Sequence, residues 1–333
     1  MKTAAVLSFS DRGADTAQRV ARALEGEYTV SLHAPRGNLK PLTAELFGRV
    51  DALIFVGAMG IAVRAVAPLI VSKTTDPAVI VLDEGAGHVI SMLSGHIGGA
   101  NALTLRLAGA LESEAVITTA TDVNHRFSVD AWAARQGLKI ESMPLAKRFS
   151  AEILRRDLPF CADVPVEGAL PEGIFAARAG SLGAAVTYRD VKPFDKTLRL
   201  VPPVLVLGIG CKRNTPVEGI RRAVENVFAQ NGLLLSAAAG VASIDVKSDE
   251  AGLLSFAGEL GLAPRFYSAE ELRAVKGEFT ASAFVAGTVG VDNVCERAAV
   301  LSAGEGGELL VRKTSQNGVT VAVARKIRRI TFE

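Results

Sequence analysis

Hydroxyl, imidazole and amide side chains share an eight-residue segment with three glycines, Ser94–Asn101. The segment follows an apolar run that ends at Leu93 and precedes a helical pattern over 102–111. Glycine lets a backbone approach a ligand closely, and the start of a helix offers unpaired N–H groups. Ser94 and His96 beside such a turn therefore predict chemistry on a carbonyl or a carboxylate.

The side chains of this turn have more than one interpretation. Without a Gly-x-Ser-x-Gly elbow, Ser94 does not indicate a serine hydrolase. His96 is either functional or structural, and Asn101 either binds a ligand or caps the next helix. The segment 118–124 ends another predicted strand and either lines the same crevice or forms an ordinary loop. The residues of the turn predicted to bind substrate are Gly95, Gly98 and Asn101.

A second segment, Gly208–Thr215, follows a strand predicted over 204–207 and precedes a helix that Pro216 opens. It combines two glycines, two cations, an amide and a hydroxyl, all of which favour an anion at a helix start. Cys211 either fills space or has a thiol pKa lowered by the neighbouring cations. The predicted binding residues of this segment are Gly208, Gly210, Cys211, Lys212, Asn214 and Thr215.

Three further groups are candidates with two interpretations each. Glycines at 57–64 either accompany Arg64 in binding a carboxylate or allow close helix–sheet packing; the segment lacks phosphate-loop and dinucleotide spacings. Glu84 is either a general base or a solvated turn acid. Ser243, Asp245 and Lys247 alternate along one predicted strand, so that face either binds ligand or meets solvent. The predicted binding residues are Gly57, Gly60, Arg64, Asp245 and Lys247.

Strands that alternate with helices predict an α/β fold with mainly parallel sheets. In such sheets, ligands bind beyond the carboxyl ends of the strands. Ser10, Gly57, Ser94 and Thr119 are predicted to follow strands in this way. Strands at 78–82 and 89–93 are predicted to form a hairpin, and Asn317-Gly318 predicts another one.

The 333 residues are enough for about two domains of ordinary size. We predict an N-terminal α/β domain over 1–124 and a C-terminal α/β domain over 203–333. A smaller middle α/β module over 125–202 joins them.

Composition excludes several classes of protein. A net charge of +2 and 5% aromatic residues argue against a nucleic-acid partner. No apolar run reaches the roughly 18 residues that a membrane-spanning helix needs, and the first residues indicate a strand rather than a leader. Three widely spaced cysteines form neither a disulfide framework nor a metal clip, so we expect a cytoplasmic protein.

In combination, these segments resemble the CbiG family of cobalamin biosynthesis. The match is specific as a set and covers most of the first and last thirds of the chain. It is carried by Gly57–Arg64 with Thr75–Val79, Leu93–Asn101 with Ile117–Asp122, and Gly208–Lys212 with Ala242–Glu250 and Val319–Arg325.

The resemblance implies hydrolysis of cobalt-precorrin-5A to cobalt-precorrin-5B in the anaerobic pathway. The δ-lactone on ring A is opened, and an extruded two-carbon fragment leaves as acetaldehyde. Cobalt arrives inside the substrate, so the resemblance implies no cofactor and no metal ligands of the protein's own. The expected partner is a small-molecule corrinoid, with neither nucleic acid nor membrane, and a homodimer is left open.

Such a substrate carries many carboxylates around a broad apolar ring, which calls for separated cations such as Arg64, Lys73, Lys212 and Arg213. Lactone opening needs a base and donors for the oxyanion. We assign the base to His96 or Glu84, and the donors to the turn amides near Ser94 and Gly95. The two terminal domains are expected to form one cleft.

Two other functions compete with this hypothesis. A non-catalytic corrinoid carrier would bind the substrate tightly without turnover. A nucleotide or sugar-phosphate enzyme would use the glycine turns, although the missing phosphate-loop spacing counts against it.

Overall fold

The computed structural model describes residues 1–72, 75–281 and 291–332. These residues form two compact units, one of Met1–Ala134 with Ile153–Arg156 and one of Arg135–Glu152 with Asp157–Glu333. The predicted α/β class is confirmed, because both units combine helices with mixed, mostly parallel sheets. The boundaries predicted near 124 and 202 stay predictions, although each of the three predicted segments holds its own sheet.

The first unit is built on a six-stranded sheet in the order β2-β1-β3-β4-β5-β6. The first four of these strands run parallel. β5 is antiparallel to β4, as the predicted hairpin requires, and β6 is parallel to β5. The strands are β1 (Lys2–Ser8), β2 (Tyr28–His33), β3 (Ala52–Val56), β4 (Ala78–Leu82), β5 (His88–Leu93) and β6 (Glu114–Val116).

Helices cover both faces of this sheet. α1 (Asp11–Ala23) and α4 (Ala100–Leu111) pack on one face, and α2 (Leu39–Phe47) and α3 (Met59–Val66) on the other. All residues of β3 and β4 are buried, as expected for strands covered on both faces. Two short helices follow β6, α5 (Ala120–Val123) and α6 (Val129–Arg135).

The second unit begins with a five-stranded sheet in the order β10-β8-β11-β12-β7. β7 is antiparallel to β12, and the other pairs are parallel. The elements are β7 (Lys139–Ile140), α7 (Met143–Glu152), β8 (Leu158–Ala162), β9 (Val166–Glu167), β10 (Ile174–Ala176), β11 (Leu182–Val186) and β12 (Lys196–Val201).

A further five-stranded sheet in this unit has the order β15-β14-β13-β17-β16. β13, β14 and β15 are parallel, and β17 is antiparallel to both of its neighbours. The elements are β13 (Leu205–Cys211), α8 (Val217–Gln230), β14 (Ala238–Ile244), α9 (Ala251–Glu259), β15 (Arg265–Tyr267), α10 (Ala269–Ala274), α11 (Cys295–Ala303), β16 (Glu308–Gln316), β17 (Val319–Arg325) and β18 (Ile330–Thr331), which pairs with β9.

Two sequence-based boundaries are corrected in this sheet. β13 continues to Cys211 because it pairs with β17 along its whole length, so Gly208 and Gly210 are strand residues rather than turn residues. β14 ends at Ile244, and Asp245–Lys247 form a 3₁₀ turn. The interpretation of Ser243, Asp245 and Lys247 as one strand face is therefore wrong. The hairpin predicted at Asn317-Gly318 is confirmed, with both residues at positive φ.

Among the described helices, none is both long enough and apolar enough to cross a membrane.

Candidate functional site

The Ser94–Asn101 turn lies at the edge of the first sheet where β4 begins. Leu93, the last residue of β5, pairs with Val79 near the start of β4. β6 runs in the same direction as β5, so the segment after Val116 reaches the same edge. Of the two alternatives for the segment 118–124, the structure therefore favours the one in which this segment lies beside the turn.

Glycines in the turn allow a close approach of its own residues. A Cβ at Gly98 would lie 2.4 Å from the Ser94 Cβ, and one at Gly95 would lie 2.6 Å from the Asn101 Oδ1. Gly99 has a φ of 84°, which closes the turn before α4. In the described part of the chain, no hydrogen bond occupies the backbone N–H groups of Gly95, His96 and Ile97. The three residues are partly exposed, and their unoccupied amides are candidate donors to an oxyanion.

His96 lies between two carboxylates. Its Nε2 is 2.8 Å from Asp122 Oδ2, and its Nδ1 is 3.2 Å from Asp130 Oδ1. Thr121 Oγ1 lies 3.3 Å from the same Nε2. The His96 side chain is 18% exposed, Asp122 is 35% exposed and Asp130 is 5% exposed. Asp122 is therefore the carboxylate of this cluster that solvent and ligands reach most easily.

Asp122 is held by further polar side chains. Its Oδ2 accepts hydrogen bonds from Thr119 Oγ1 at 2.5 Å and from Asn101 Nδ2 at 3.2 Å. Ser91 Oγ in turn donates to Asn101 Oδ1 at 2.7 Å. Asn101 lies inside α4 and its side chain makes no cap, so the capping alternative is wrong. Its amide orients the acid–base cluster instead.

The charges of the cluster support one another. Burial lowers the pKa of His96, but hydrogen bonds to Asp130 and Asp122 outweigh burial, so the pKa is raised above its ordinary value. Burial raises the pKa of Asp122, but hydrogen bonds from Thr119 and His96 outweigh it, and the pKa is lowered. The arrangement therefore favours a charged imidazolium beside charged carboxylates.

Ser94 contributes to the site through its backbone. Ser94 is 8% exposed, and its backbone has a φ of 58°. The Ser94 carbonyl accepts a hydrogen bond from the N–H of Ala100 at 3.1 Å. Within the described residues, the buried Ser94 hydroxyl has no hydrogen-bond partner. Because no described residue places a base against this hydroxyl, a nucleophilic role has no structural support.

Asp130 is the residue of the cluster that sequence reasoning missed. It belongs to α6, far along the chain from the glycine turn. The signal was weak: a carboxylate between Val129 and Trp132, both buried in the structure. A buried aspartate on an apolar helix face requires a partner, but the sequence does not say which one.

Glu84 lies at the opposite edge of the sheet. It follows the carboxyl end of β4, and its Oε1 accepts from Ser10 Oγ at 2.7 Å. The five residues of β4 separate the two edges by roughly 17 Å, at about 3.3 Å per residue. The alternative in which Glu84 is the base for donors near Gly95 is therefore wrong, because β5 runs against β4.

Gly57, Gly60 and Arg64 lie on the Glu84 side of the sheet. A Cβ at Gly57 would lie 2.8 Å from a ring carbon of Phe9, which supports the packing interpretation of that glycine. Arg64 Nη1 donates to the Gly60 carbonyl at 3.1 Å. A groove of about 470 Å³ between α2 and α3 is lined by Arg64, Lys40 and apolar side chains. Lys73, the other cation predicted here, lies outside the described residues.

The glycines of the C-terminal candidate site are explained by packing. A Cβ at Gly208 would lie 1.8 Å from the carbonyl oxygen of Cys295, where α11 crosses β13. A Cβ at Gly210 would lie 2.6 Å from Thr320 Oγ1. Burial raises the pKa of the Cys211 thiol, which favours the space-filling alternative over a reactive thiolate.

Charged residues nonetheless meet at the carboxyl ends of β13 and β14. Arg213 Nη1 lies 2.5 Å from Asp249 Oδ1, and Lys247 Nζ lies 3.3 Å from the buried Glu250 Oε2. Asn214 adopts a φ of 60°, and Thr215 Oγ1 donates to the Lys212 carbonyl at 2.7 Å. Across the described residues, Lys212 takes part in no ion pair, and it is exposed. Lys212 is therefore available to an anionic ligand at this end of the sheet.

Within residues 1–72, 75–281 and 291–332, no group of three or more His, Cys, Asp or Glu side chains is arranged to hold a metal ion.

Fold and site together define an α/β protein with an acid–base cluster at a sheet edge. Two family models match the chain, Cobalamin synthesis G N-terminal over residues 41–122 and Cobalamin synthesis G C-terminus over residues 205–324. The cobalt-precorrin-5A hydrolase of Salmonella typhimurium is 36% identical over 302 aligned residues, covering 86% of this chain and 85% of that protein. The cobalt-precorrin-5A hydrolase of Priestia megaterium is 33% identical and covers 86% of this chain and 82% of that protein.

The chain belongs to the CbiG family of cobalamin synthesis. Protein CobE of a Sinorhizobium species is 33% identical over 121 residues, which are 36% of this chain and 79% of that protein. About a third of this chain is therefore similar to most of a separate protein.

Proposed function

We propose that this chain is a cobalt-precorrin-5A hydrolase. It opens the ring A δ-lactone of that substrate, releases acetaldehyde and yields cobalt-precorrin-5B. Two similar proteins that carry this name match the chain over most of its length, and both halves of the family's pattern are present. The same family membership supports an enzyme rather than a carrier.

The observation that carries the site assignment is the His96 cluster with its unoccupied turn amides. Lactone opening needs one group that takes a proton from water and one that protonates the departing alcohol. An imidazole and a partly exposed carboxylate 2.8 Å apart supply both. The amides of Gly95, His96 and Ile97 are donors for the oxyanion that forms on the carbonyl.

Release of acetaldehyde follows from the same groups. The alcohol freed from the lactone loses its proton, and the carbon–carbon bond to the macrocycle breaks. The macrocycle accepts the electron pair of that bond, so no lysine imine is required. Cobalt enters within the substrate, and the proposal includes no cofactor of the protein's own.

Carboxylate arms of the substrate call for cations away from the acid–base cluster. Lys212 is the cation we assign to this role, because it is exposed and its neighbours Arg213 and Lys247 are already paired. The partner that we propose for the protein is a small-molecule corrinoid; the proposal includes neither nucleic acid nor a membrane. We infer a cytoplasmic location from the three widely spaced cysteines.

Acetaldehyde release from cobalt-precorrin-5A tests this proposal directly. We expect His96→Ala to lower kcat by at least about 100-fold, the usual contribution of a general acid or base. Glu84→Gln, at the other sheet edge, and His88→Ala, an exposed histidine, are expected to retain wild-type rates.

The outcomes separate the competing functions. Unchanged acetaldehyde release in His96→Ala would contradict the site assignment. Tight binding of the substrate by the wild-type chain with no acetaldehyde would instead support a corrinoid carrier. The similarity of one third of the chain to a separate protein makes binding without turnover worth measuring.

A further inference from the structure

Both ring nitrogens of His96 face carboxylate oxygens. Nε2 lies 2.8 Å from Asp122 and Nδ1 lies 3.2 Å from Asp130. A carboxylate accepts hydrogen bonds and donates none, and a neutral imidazole has one donor and one acceptor nitrogen. A neutral ring would therefore place a lone pair against one carboxylate. With both carboxylates ionised, only the doubly protonated ring can donate a proton to each of them.

We propose that Asp130 is a positioning residue that keeps His96 doubly protonated, so that His96 acts as the proton donor and Asp122 as the proton acceptor. The assignment of catalytic roles rests on the proposed function; the protonation state of His96 does not. This assignment of roles replaces the expectation that His96 is the base.

The two carboxylates differ in exposure, and this difference assigns the positioning role to Asp130 and the proton-accepting role to Asp122. The Asp130 side chain is 5% exposed, and its Oδ1 accepts from Ser128 Oγ at 3.1 Å and from the N–H of Ala131 at 3.0 Å. Asp130 is therefore fixed and out of reach of a substrate. Asp122, at 35% exposed, can meet both His96 and a water molecule.

Two other charged side chains near the turn have hydrogen-bond partners of their own. Asp76, whose carbonyl lies close to Gly98, accepts from the N–H groups of Val71 and Ser72 through its carboxylate. Arg126, which follows α5, donates its Nε to the Ile153 carbonyl. The raised pKa of His96 agrees with two carboxylates as the dominant charges at the ring.

The lactone-opening step then balances. Water forms a bond to the carbonyl carbon and gives one proton to Asp122. The acyl carbon–oxygen bond breaks with its electron pair on the alcohol oxygen, which takes a proton from His96. Asp122 passes its proton to His96 across their contact, and the new carboxylic acid loses its remaining proton to solvent.

Nitrogen-15 NMR of the histidine rings in the full chain tests the protonation state. The chain has four histidines, and His96→Gln identifies the His96 signals. We expect both ring nitrogens of His96 to be protonated at about pH 7, above the ordinary histidine pKa of about 6.5. We expect Asp130→Asn to lower the His96 pKa by about one unit, a tenfold change in proton affinity. Asp15→Asn, an exposed aspartate on α1, is the matched control and is expected to leave it unchanged.

The pH dependence of acetaldehyde release gives a second measurement. A proton donor must be protonated, so kcat of the wild type falls as pH rises through the His96 pKa. Asp130→Asn should move that fall to lower pH by the same amount as the NMR titration.

A neutral His96 at about pH 7 in the wild type would overturn the proposal, whatever the activity. So would an Asp130→Asn variant that loses activity while its His96 titration is unchanged, because Asp130 would then be merely structural. If the wild type releases no acetaldehyde, the proposed function fails, and the NMR titration still decides the protonation state.

Discussion

At the scale of a single residue, the charge on His96 affects both the proposed catalysis and the stability of the fold. Its pKa is raised in the folded chain because Asp130 and Asp122 favour the imidazolium. A raised folded pKa gives stability that is fully present below the unfolded pKa. That stability is lost as pH rises through the folded pKa.

We therefore expect His96→Gln to lower the free energy of unfolding more at about pH 6 than at about pH 9. Urea unfolding at several pH values measures the difference. His88→Gln is the control, because that ring is 56% exposed between Asp83 and Glu114. An equal loss at both pH values would contradict the prediction, because it would show that folding leaves the His96 pKa unchanged.

At the scale of elements, the turn between β5 and α4 depends on Gly98. A Cβ there would meet the Ser94 Cβ at 2.4 Å and the Ser94 carbonyl at 2.9 Å. We expect Gly98→Ala to cost about 1–3 kcal/mol of stability, because backbone must shift to admit the methyl group. It should also lower acetaldehyde release by displacing His96.

Gly109→Ala is the matched control for that variant. Gly109 is exposed on α4, and a Cβ there would meet nothing within 4 Å. Replacing it by alanine should stabilise the helix by about 0.5–1 kcal/mol. Thermal unfolding measures both variants, and equal effects would contradict the packing account of the turn.

Gly208 has the corresponding role where α11 crosses β13. Its added Cβ would meet the Cys295 carbonyl at 1.8 Å, so we expect Gly208→Ala to cost about 3 kcal/mol or more. Gly258→Ala, on an exposed face of α9, is expected to be neutral or stabilising in the same unit. Denaturant unfolding compares them, and a well-folded Gly208→Ala variant that has lost only substrate binding would favour a ligand role instead.

At the scale of the whole molecule, the two candidate sites belong to different units. The expectation that they share one cleft stays a prediction. The separate roles proposed for the His96 cluster and for Lys212 are measurable nonetheless. Loss of acid–base chemistry lowers kcat, whereas loss of carboxylate binding raises KM.

We expect Lys212→Glu to raise the KM for cobalt-precorrin-5A by about tenfold, the effect of losing one charge-assisted hydrogen bond, with kcat little changed. Arg222→Glu, an exposed cation on α8, is the control for net charge. Steady-state kinetics at one ionic strength measures both. Equal KM values in the two variants would show that Lys212 does not contact the substrate.

The sequence by itself determined the local elements and the chemistry available to them. Apolar runs predicted β3 and β4, the turn residues predicted both hairpins, and the glycine pattern placed His96 between a strand and a helix. These features depend on neighbouring residues, so local sequence suffices to predict them. The combination of segments also identified the family.

Only the tertiary structure decided which of these residues meet. The antiparallel direction of β5 puts His96 and Glu84 at opposite edges, although each follows the carboxyl end of its own strand. Asp130 reaches His96 from a helix that no motif connects to the turn. Strand pairing and helix packing are contacts between distant parts of the chain, and side-chain periodicity within one segment does not specify them.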